Sequence, residues 1–309
     1  MTRGIMARIL LSLLLLVVVV LAALVRPDIP VNLLEERYAQ PPSQFAVIDG
    51  QRVHYRDEGT GPALLLIHGS FASLHTWDDW TRELKNSYRV IRFDLPGHGL
   101  TGPSPDGKYS VGRDEAVALG LLDQLGISQA NIAGSSLGGS VAWRLALDHP
   151  ERVDKLILLD SAGLASGATT VSPTLRLVAF TGISRALTLL TPRFLFRNAL
   201  EEVYAQDERI TPDLVDRYYE LMRRPGNRVA ALQRLQSIEP QPTDQLGEIS
   251  APTLILWGAE DHWIPVQNAR RFQQAIPNAM LTIVESSGHV PMEEQPGRSA
   301  AVARPFLEE

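Results

Sequence analysis

Short apolar runs alternate with helical patterns along most of this chain. The segments 63–69 ("ALLLIHG"), 153–160 ("VDKLILLD") and 252–258 ("PTLILWG") are largely apolar and end in Gly or Asp, as is typical of strands buried on both faces. Helical patterns such as 111–126 and 137–150 lie between runs of this kind. The alternation predicts βαβ units and a mostly parallel sheet.

Two segments depart from this alternation. Residues 45–59 ("FAVIDGQRVHYRDEG") alternate in polarity around Asp49-Gly50, which predicts a hairpin. Residues 163–245 contain no buried-strand run, and Pro192 and Pro212 separate helical patterns there. We interpret this insertion as a helical cap over one end of the sheet. The alternative is a set of extra helices packed on one flank.

The N-terminus carries a long apolar run. Residues 9–25 ("ILLSLLLLVVVVLAALV") are apolar except for Ser12, and Arg3 and Arg8 precede them. With residues 5 and 6 included, such a helix just spans a bilayer core of about 30 Å. We expect residues 1–26 to anchor the protein through residues 5–25, with the body extracytoplasmic (periplasmic in a Gram-negative bacterium). The alternative is a cleaved signal peptide and a secreted protein.

The remaining chain divides in two by composition. Residues 27–44 are polar and proline-rich, and we interpret them as a linker to a single domain over residues 45–309.

The chain has 309 residues and a formal net charge of −6, so no nucleic-acid partner is expected. It contains no cysteine, which excludes disulfides, thiolate catalysis and Cys-ligated zinc. No motif indicates a cofactor or a metal, and the oligomeric state is left open.

A nucleophile motif is the first candidate chemistry. Gly134-Ser135-Ser136-Leu137-Gly138 has the G-x-S-x-G pattern, with a strand-like run before it and a helical pattern after it. Such a turn holds the central serine in a strained conformation with its side chain exposed. We therefore expect Ser136 to be a nucleophile. The alternative is a Gly/Ser turn without chemistry.

A base and its orienting acid are the next candidates. His289 lies in a glycine-flanked loop after the last strand-like run, and Asp261 follows the run before it. Parallel strands place both loops at the edge of the sheet that holds Ser136. Glu260 and Asp160 are rival acids, since each also lies close to the end of a strand-like run.

The oxyanion site is expected from backbone amides. The run at 63–67 ends in His68-Gly69 and turns into a loop, so the N–H groups of Ser70 and Leu137 can point at one oxygen. His68 and His98 are interpreted as structural residues that hold loops near the site.

The chain resembles the lidded branch of the α/β-hydrolase fold superfamily. The segments that carry the resemblance occur in the family's order: "HGSFASLHTW", "RFDLPGHGLT", "GSSLGG", "WGAEDHWIP" and "SGHVPMEEQP". The resemblance implies an eight-stranded, mostly parallel sheet with a helical cap. It also implies acyl-enzyme chemistry in which Ser136 is the nucleophile, His289 the acid and base, and Asp261 the orienting carboxylate. The serine nucleophile disfavours relatives that use an aspartate.

Hydrolysis of a carboxylic ester is the function we expect from sequence, on a small molecule with an apolar acyl group. Cap side chains expected to line an acyl pocket are Leu177, Phe180, Phe194 and Phe196, unless they bury against the sheet. The alternatives on the same triad are a cofactor-free perhydrolase and a C–C bond hydrolase of a vinylogous diketone. The C–C hydrolase would need cations for a dienoate, for which Arg176, Arg185 and Arg193 are candidates. A non-catalytic scaffold is disfavoured by the intact triad.

Overall fold

The structure is a computed structural model that describes residues 3–164, 188–237 and 239–309. The strands are β1 (Ser43–Ile48), β2 (Gln51–Glu58), β3 (Ala63–Ile67), β4 (Arg89–Phe93), β5 (Ala130–Ser135), β6 (Val153–Leu159), β7 (Thr253–Gly258) and β8 (Met280–Val284). The described helices, numbered in chain order, are α1 (Arg3–Leu24), α2 (Val31–Tyr38), α3 (Asp78–Leu84), α4 (Val111–Gln124), α5 (Leu137–Asp148), α6 (Arg193–Val203), α7 (Pro212–Met222), α8 (Asn227–Gln236), α9 (Gln267–Ala275), α10 (Pro291–Glu294) and α11 (Pro296–Glu308).

The eight strands form one sheet in the order β1-β2-β4-β3-β5-β6-β7-β8. β2 pairs antiparallel with β1 and β4, and all other pairs are parallel. The central strands β5 and β7 are buried along their whole length, which explains why their sequences are almost continuously apolar. The expectation of an eight-stranded, mostly parallel α/β-hydrolase sheet is confirmed.

The predicted hairpin is also confirmed. β1 and β2 pair from Ser43 opposite Arg56 to Ile48 opposite Gln51. Asp49 and Gly50 form the turn with φ of 47° and 76°. Two consecutive residues with positive φ match the right-handed twist of the flanking strands, so an Asp-Gly pair suits this turn.

Helices cover both faces of the sheet. On one face, α4, α5 and α9 contribute buried side chains such as Leu121, Trp143 and Phe272. On the other face, α3 and α11 pack together, and Trp80 Nε1 donates to Ser299 Oγ at 2.8 Å. This double cover leaves the carboxyl ends of the parallel strands as the edge at which the connecting loops collect.

The helices α6, α7 and α8 lie in the chain between β6 and β7, where the cap was expected. The rings of Phe196 and Tyr219 join α6 to α7 at 5.3 Å, whereas Phe194 is exposed. The cap limits of 163–245 stay a prediction. The candidates Arg176, Leu177, Phe180 and Arg185 lie outside the described residues.

The segment expected to be a linker is packed against the cap instead. Residues 27–44 contain α2, and Leu34 of this helix is buried beside Leu100 and Leu221. The N–H of Ile29 donates to the carbonyl of Arg223 at 2.8 Å. Polar composition was a poor guide here, because a single apolar side chain and backbone hydrogen bonds are enough to fasten a short helix.

The membrane anchor expected over residues 5–25 finds no support. The apolar run lies in α1, and many of its side chains are exposed. In the part of the chain that the structure describes, no helix combines the length and apolar character needed to cross a membrane. The extracytoplasmic location is untested and stays a prediction.

Two arginines fasten the N-terminal segment to the cap in different environments. Arg228 on α8 is buried and donates to the carbonyl oxygens of Arg26 and Thr188, both at 2.8 Å, and to Asp28 Oδ1 at 2.6 Å. Arg223 is half-buried, and its hydrogen bonds to the carbonyl oxygen of Pro27 are exposed to solvent.

We expect Arg228→Ala to lower the free energy of unfolding by about 2–4 kcal/mol, because it removes the hydrogen bonds and the ion pair of a buried guanidinium. The matched control, Arg223→Ala, should cost less than about 1 kcal/mol, since water replaces an exposed donor. Urea denaturation of both variants measures the difference. Equal losses would contradict the assignment of Arg228 as the main fastening.

Candidate active site

The turn between β5 and α5 holds the candidate nucleophile. Ser136 joins the two elements with φ 53° and ψ −116°, a conformation that residues other than glycine rarely adopt. Its N–H donates to the carbonyl of Leu159, and its carbonyl accepts from Ala162, both at 3.0 Å. The surrounding backbone therefore holds this serine in a strained position, half-buried at the edge of the sheet.

Two glycines make this turn sterically possible. A Cβ on Gly134 would collide with the backbone of Gly138, and a Cβ on Gly138 would collide with the carbonyl of Ile67 in β3. The helix α5 therefore starts directly against the neighbouring strand. The sequence prediction of a strand, a sharp turn and a helix around Ser136 agrees with this geometry.

The expected oxyanion amides lie on either side of Ser136. Leu137 is the first residue of α5, so its N–H has no acceptor within the helix. Gly69 packs against the nucleophile, because a Cβ on it would lie 3.0 Å from Ser136 Cβ. Ser70 follows Gly69, and Phe71 turns the loop with φ 64°. The role of Ser70 and Leu137 as oxyanion donors stays a prediction.

His289 and Asp261 form a buried pair. His289 Nδ1 donates to Asp261 Oδ2 at 2.8 Å. The other oxygen, Asp261 Oδ1, accepts the N–H groups of Trp263 and Ile264 at 2.8 and 2.9 Å. With Nδ1 acting as a donor, Nε2 is the ring nitrogen that can accept a proton. That Nε2 atom is buried and has no hydrogen-bond partner among the described residues.

The rival acids do not bind the histidine. Asp160 follows β6 and is fully buried, with Oδ1 accepting the N–H of Gly258 at 2.9 Å. Glu260 is exposed. One carboxylate oxygen each from Asp160 and Asp261 and one ring nitrogen of His289 lie within 4.8 Å of one another, a spacing compatible with a cation. His289 Nδ1 already donates a hydrogen bond to Asp261, as in an acid–base pair, so we assign no metal to these three residues.

His68 and His98 stabilise the neighbouring loops. His68 Nδ1 donates to the carbonyl of Gly69 at 2.7 Å, and Nε2 accepts the N–H of Leu95 at 3.0 Å. The His98 ring lies 5.2 Å from the His68 ring. Burial lowers the pKa of both imidazoles, so both are neutral. This arrangement agrees with the structural role expected from sequence.

Sequence reasoning missed Asp94, which organises the "DLPGHG" loop. This buried carboxylate accepts the N–H groups of Leu74 and Leu100, each at 2.7 Å, and the ring nitrogen Nδ1 of His54 lies 2.7 Å from it. Burial disfavours its charge, but the contact with His54 and the other nearby histidines together outweigh burial and lower the pKa of Asp94. An acidic residue directly after a buried strand was the available signal.

Sequence reasoning also missed Glu293, which fastens the cap to the histidine loop. Glu293 follows His289 by four residues and pairs with Arg217 of α7. Its Oε2 accepts the hydroxyls of Tyr218 at 2.7 Å and Thr76 at 3.0 Å. The cap helix α7 is therefore bonded directly to the segment that carries the candidate base. No local sequence pattern indicates which acidic residue does this.

Comparison with known proteins agrees with this geometry. Residues 62–296 match the family described as alpha/beta hydrolase fold. The 2-hydroxymuconate semialdehyde hydrolase of Pseudomonas putida is 33% identical over 270 residues, which cover 84% of this chain and 92% of that protein.

Two solved structures have similar folds. A membrane phospholipase A has a TM-score of 0.74 and 27% identity, and the match covers 98% of each chain. A meta-cleavage product hydrolase from Pseudomonas fluorescens has a TM-score of 0.76 and 26% identity, covering 86% of this chain and 97% of that one. The chain is a hydrolase and belongs to the alpha/beta hydrolase fold family.

Proposed function

We propose that this protein is a serine hydrolase that attacks a substrate carbonyl with Ser136. The observation that carries the proposal is the buried His289–Asp261 pair at the sheet edge where Ser136 is held with positive φ. Within the described part of the chain, His289 Nε2 has no hydrogen-bond partner. A hydroxyl needs such a base, and the base needs a carboxylate that fixes its tautomer. The proposed assignment keeps Ser136 as nucleophile, His289 as base and Asp261 as orienting acid.

The proposed reaction proceeds in two halves. Ser136 Oγ bonds to the carbonyl carbon while its proton passes to His289 Nε2, and the oxygen takes up the negative charge. The N–H groups of Ser70 and Leu137 are proposed to stabilise that charge. The tetrahedral centre then collapses, the leaving group departs with the proton from His289, and an acyl-serine remains. Water, deprotonated by the same Nε2, releases the acid and restores Ser136.

For the substrate class, we propose a vinylogous diketone whose C–C bond is cleaved. The leaving group is then an enolate carbon, which takes the proton from His289. This proposal is supported by the relatives, because the Pseudomonas putida protein is a 2-hydroxymuconate semialdehyde hydrolase and a similar structure is a meta-cleavage product hydrolase. The sequence favoured the ester first, and the relatives favour its alternative. No observation favours a perhydrolase.

A carboxylic ester is the second candidate, and two observations favour it. The membrane phospholipase A matches 98% of this chain, whereas the meta-cleavage product hydrolase matches 86%. Arg193, a candidate cation for a dienoate, instead pairs with Asp216 and donates to the carbonyl of Pro212 at 2.9 Å. Ester cleavage uses the same steps, but an alkoxide oxygen leaves with the proton from His289.

Removal of the nucleophile or the base should abolish turnover. Ser136→Ala and His289→Ala are each expected to lower kcat by at least about 10³-fold on any substrate that the protein hydrolyses. Glu260→Gln is the matched control, because this carboxylate is adjacent to Asp261 but exposed, and it should leave kcat unchanged. Wild-type activity in the Ser136→Ala variant would refute the proposed nucleophile.

The two substrate classes can be separated in one experiment. The purified protein is given 2-hydroxymuconate semialdehyde and, in parallel, p-nitrophenyl esters with short to long acyl chains. We expect kcat/KM for this semialdehyde to exceed that for the best ester by at least about tenfold, since only the cognate leaving group gains the full transition-state binding. A reversed ratio would replace the C–C proposal with the ester, and the chain-length profile would then size the acyl pocket.

A further inference from the structure

Two carboxyl groups lie side by side behind His289, although a triad needs only one. Asp160 follows β6 and Asp261 follows β7, and these two strands are neighbours in the sheet. Asp160 is 0% exposed and Asp261 is 7% exposed. One oxygen of each carboxyl and one ring nitrogen of His289 all lie within 4.8 Å of one another. Two charged carboxylates this close and this buried repel each other strongly.

Three of the four carboxyl oxygens of Asp160 and Asp261 accept hydrogen bonds from described residues, and the fourth does not. Asp261 Oδ2 accepts from His289 Nδ1, and Asp261 Oδ1 accepts two backbone N–H groups. Asp160 Oδ1 accepts the N–H of Gly258. Asp160 Oδ2 is buried, and no partner donates to it among the described residues. A buried carboxylate oxygen without a donor is costly, but an oxygen that carries a proton is itself the donor.

The surroundings favour a neutral Asp160. The titratable groups that act on it are Asp261 and Glu294, both acidic, and His289 has already committed Nδ1–H to Asp261. Burial raises the pKa of Asp160 well above its usual range, and the charge of Asp261 raises it further. The N–H of Gly258 opposes this shift without overcoming it.

We propose that Asp160 is a neutral carboxylic acid whose Oδ2–H donates a hydrogen bond to Asp261, which makes Asp160 a positioning residue for the triad. This inference rests on the proposed function, in which Asp261 orients His289. Asp160 then supplies Asp261 with a fourth donor, after His289 and the two backbone N–H groups. The two aspartate carboxyls then carry one negative charge between them, which faces the positive charge that His289 acquires during the proposed turnover.

The substitution Asp160→Asn tests the protonation state directly. An asparagine keeps both hydrogen bonds, because its oxygen accepts from Gly258 and its NH₂ donates to Asp261, yet it cannot ionise. We expect kcat/KM for p-nitrophenyl acetate to stay within about threefold of wild type, with the acid limb of its pH profile unmoved. If Asp160 is ionised, removing its charge would move that limb about one unit or more to lower pH, which overturns the proposal.

Two further variants separate positioning from structure. Asp160→Ala removes the donor to Asp261, so we expect the acid limb to move to higher pH and kcat/KM to fall by about tenfold. Glu115→Gln is the control for loss of a buried carboxyl elsewhere, on α4, and should leave the profile unmoved. A purely structural Asp160 would lower thermal stability in the Ala variant without moving its profile, and that outcome refutes the positioning role.

A measurement on the unmodified protein does not depend on activity. Carbonyl ¹³C NMR of wild-type protein labelled at the aspartate carboxyls should show one aspartate still protonated at neutral pH, and its signal should be absent from Asp160→Asn. Full ionisation of all aspartates would refute the inference even if Ser136→Ala proves the nucleophile. Conversely, a protonated Asp160 in a protein whose Ser136→Ala variant is fully active would show that the proposed function alone had failed.

Discussion

Close backbone contact at the β5–α5 turn is the constraint on which the rest of the site depends. α5 begins so near to β3 that Gly138 has no room for a side chain beside the carbonyl of Ile67. The chain must therefore reverse within one residue, and Ser136 takes the strained conformation that results. Positive φ at a non-glycine residue is unfavourable by about 1–3 kcal/mol, and the packed sheet around it supplies that energy.

The parallel sheet then brings the other chemistry to the same edge. Asp160, Asp261 and His289 each follow the carboxyl end of a parallel strand, although they are far apart in sequence. Their loops are held by backbone hydrogen bonds, such as the N–H of Ala259 to the carbonyl of Val284 at 3.0 Å. A rigid frame of this kind keeps the ring of His289 in a fixed orientation.

The cap is part of this frame rather than a separate layer. The N–H of His289 itself donates to the carbonyl of Val203, the last residue of α6, at 2.8 Å. Glu293 joins α7 to the same loop through Arg217 and Tyr218. Movement of these cap helices would therefore act directly on the loop that carries His289.

Local pattern was sufficient for the fold and for the strand, turn and helix around Ser136, and it selected Asp261 and His289, which the structure brings into hydrogen-bonding contact. Neighbouring residues are enough to recognise strand periodicity, glycine spacing and a position just after a strand. Because the strands are parallel, the loops that follow them lie at one edge of the sheet. The same reasoning took residues 27–44 for a linker and left Asp160 and Glu260 as rivals to Asp261. Within a single segment, a short polar helix has the same composition as a linker. Likewise, three acidic residues near strand ends cannot be told apart from their neighbours in sequence alone.

Only the tertiary structure shows which of those acids is hydrogen-bonded to His289, because the partner is set by which carboxylate oxygen meets the ring across the sheet edge. It likewise decided that Leu34 is buried and that Asp94 and Glu293 receive several donors each. Asp160 Oδ2 receives no donor from any residue that the structure describes. Burial and hydrogen-bond partners are properties of contacts between distant segments. The sequence alone therefore indicated a hydrolase and the segments in which its site is expected. Packing determined which carboxyl group contacts His289 and which hydrogen bonds each carboxyl oxygen accepts.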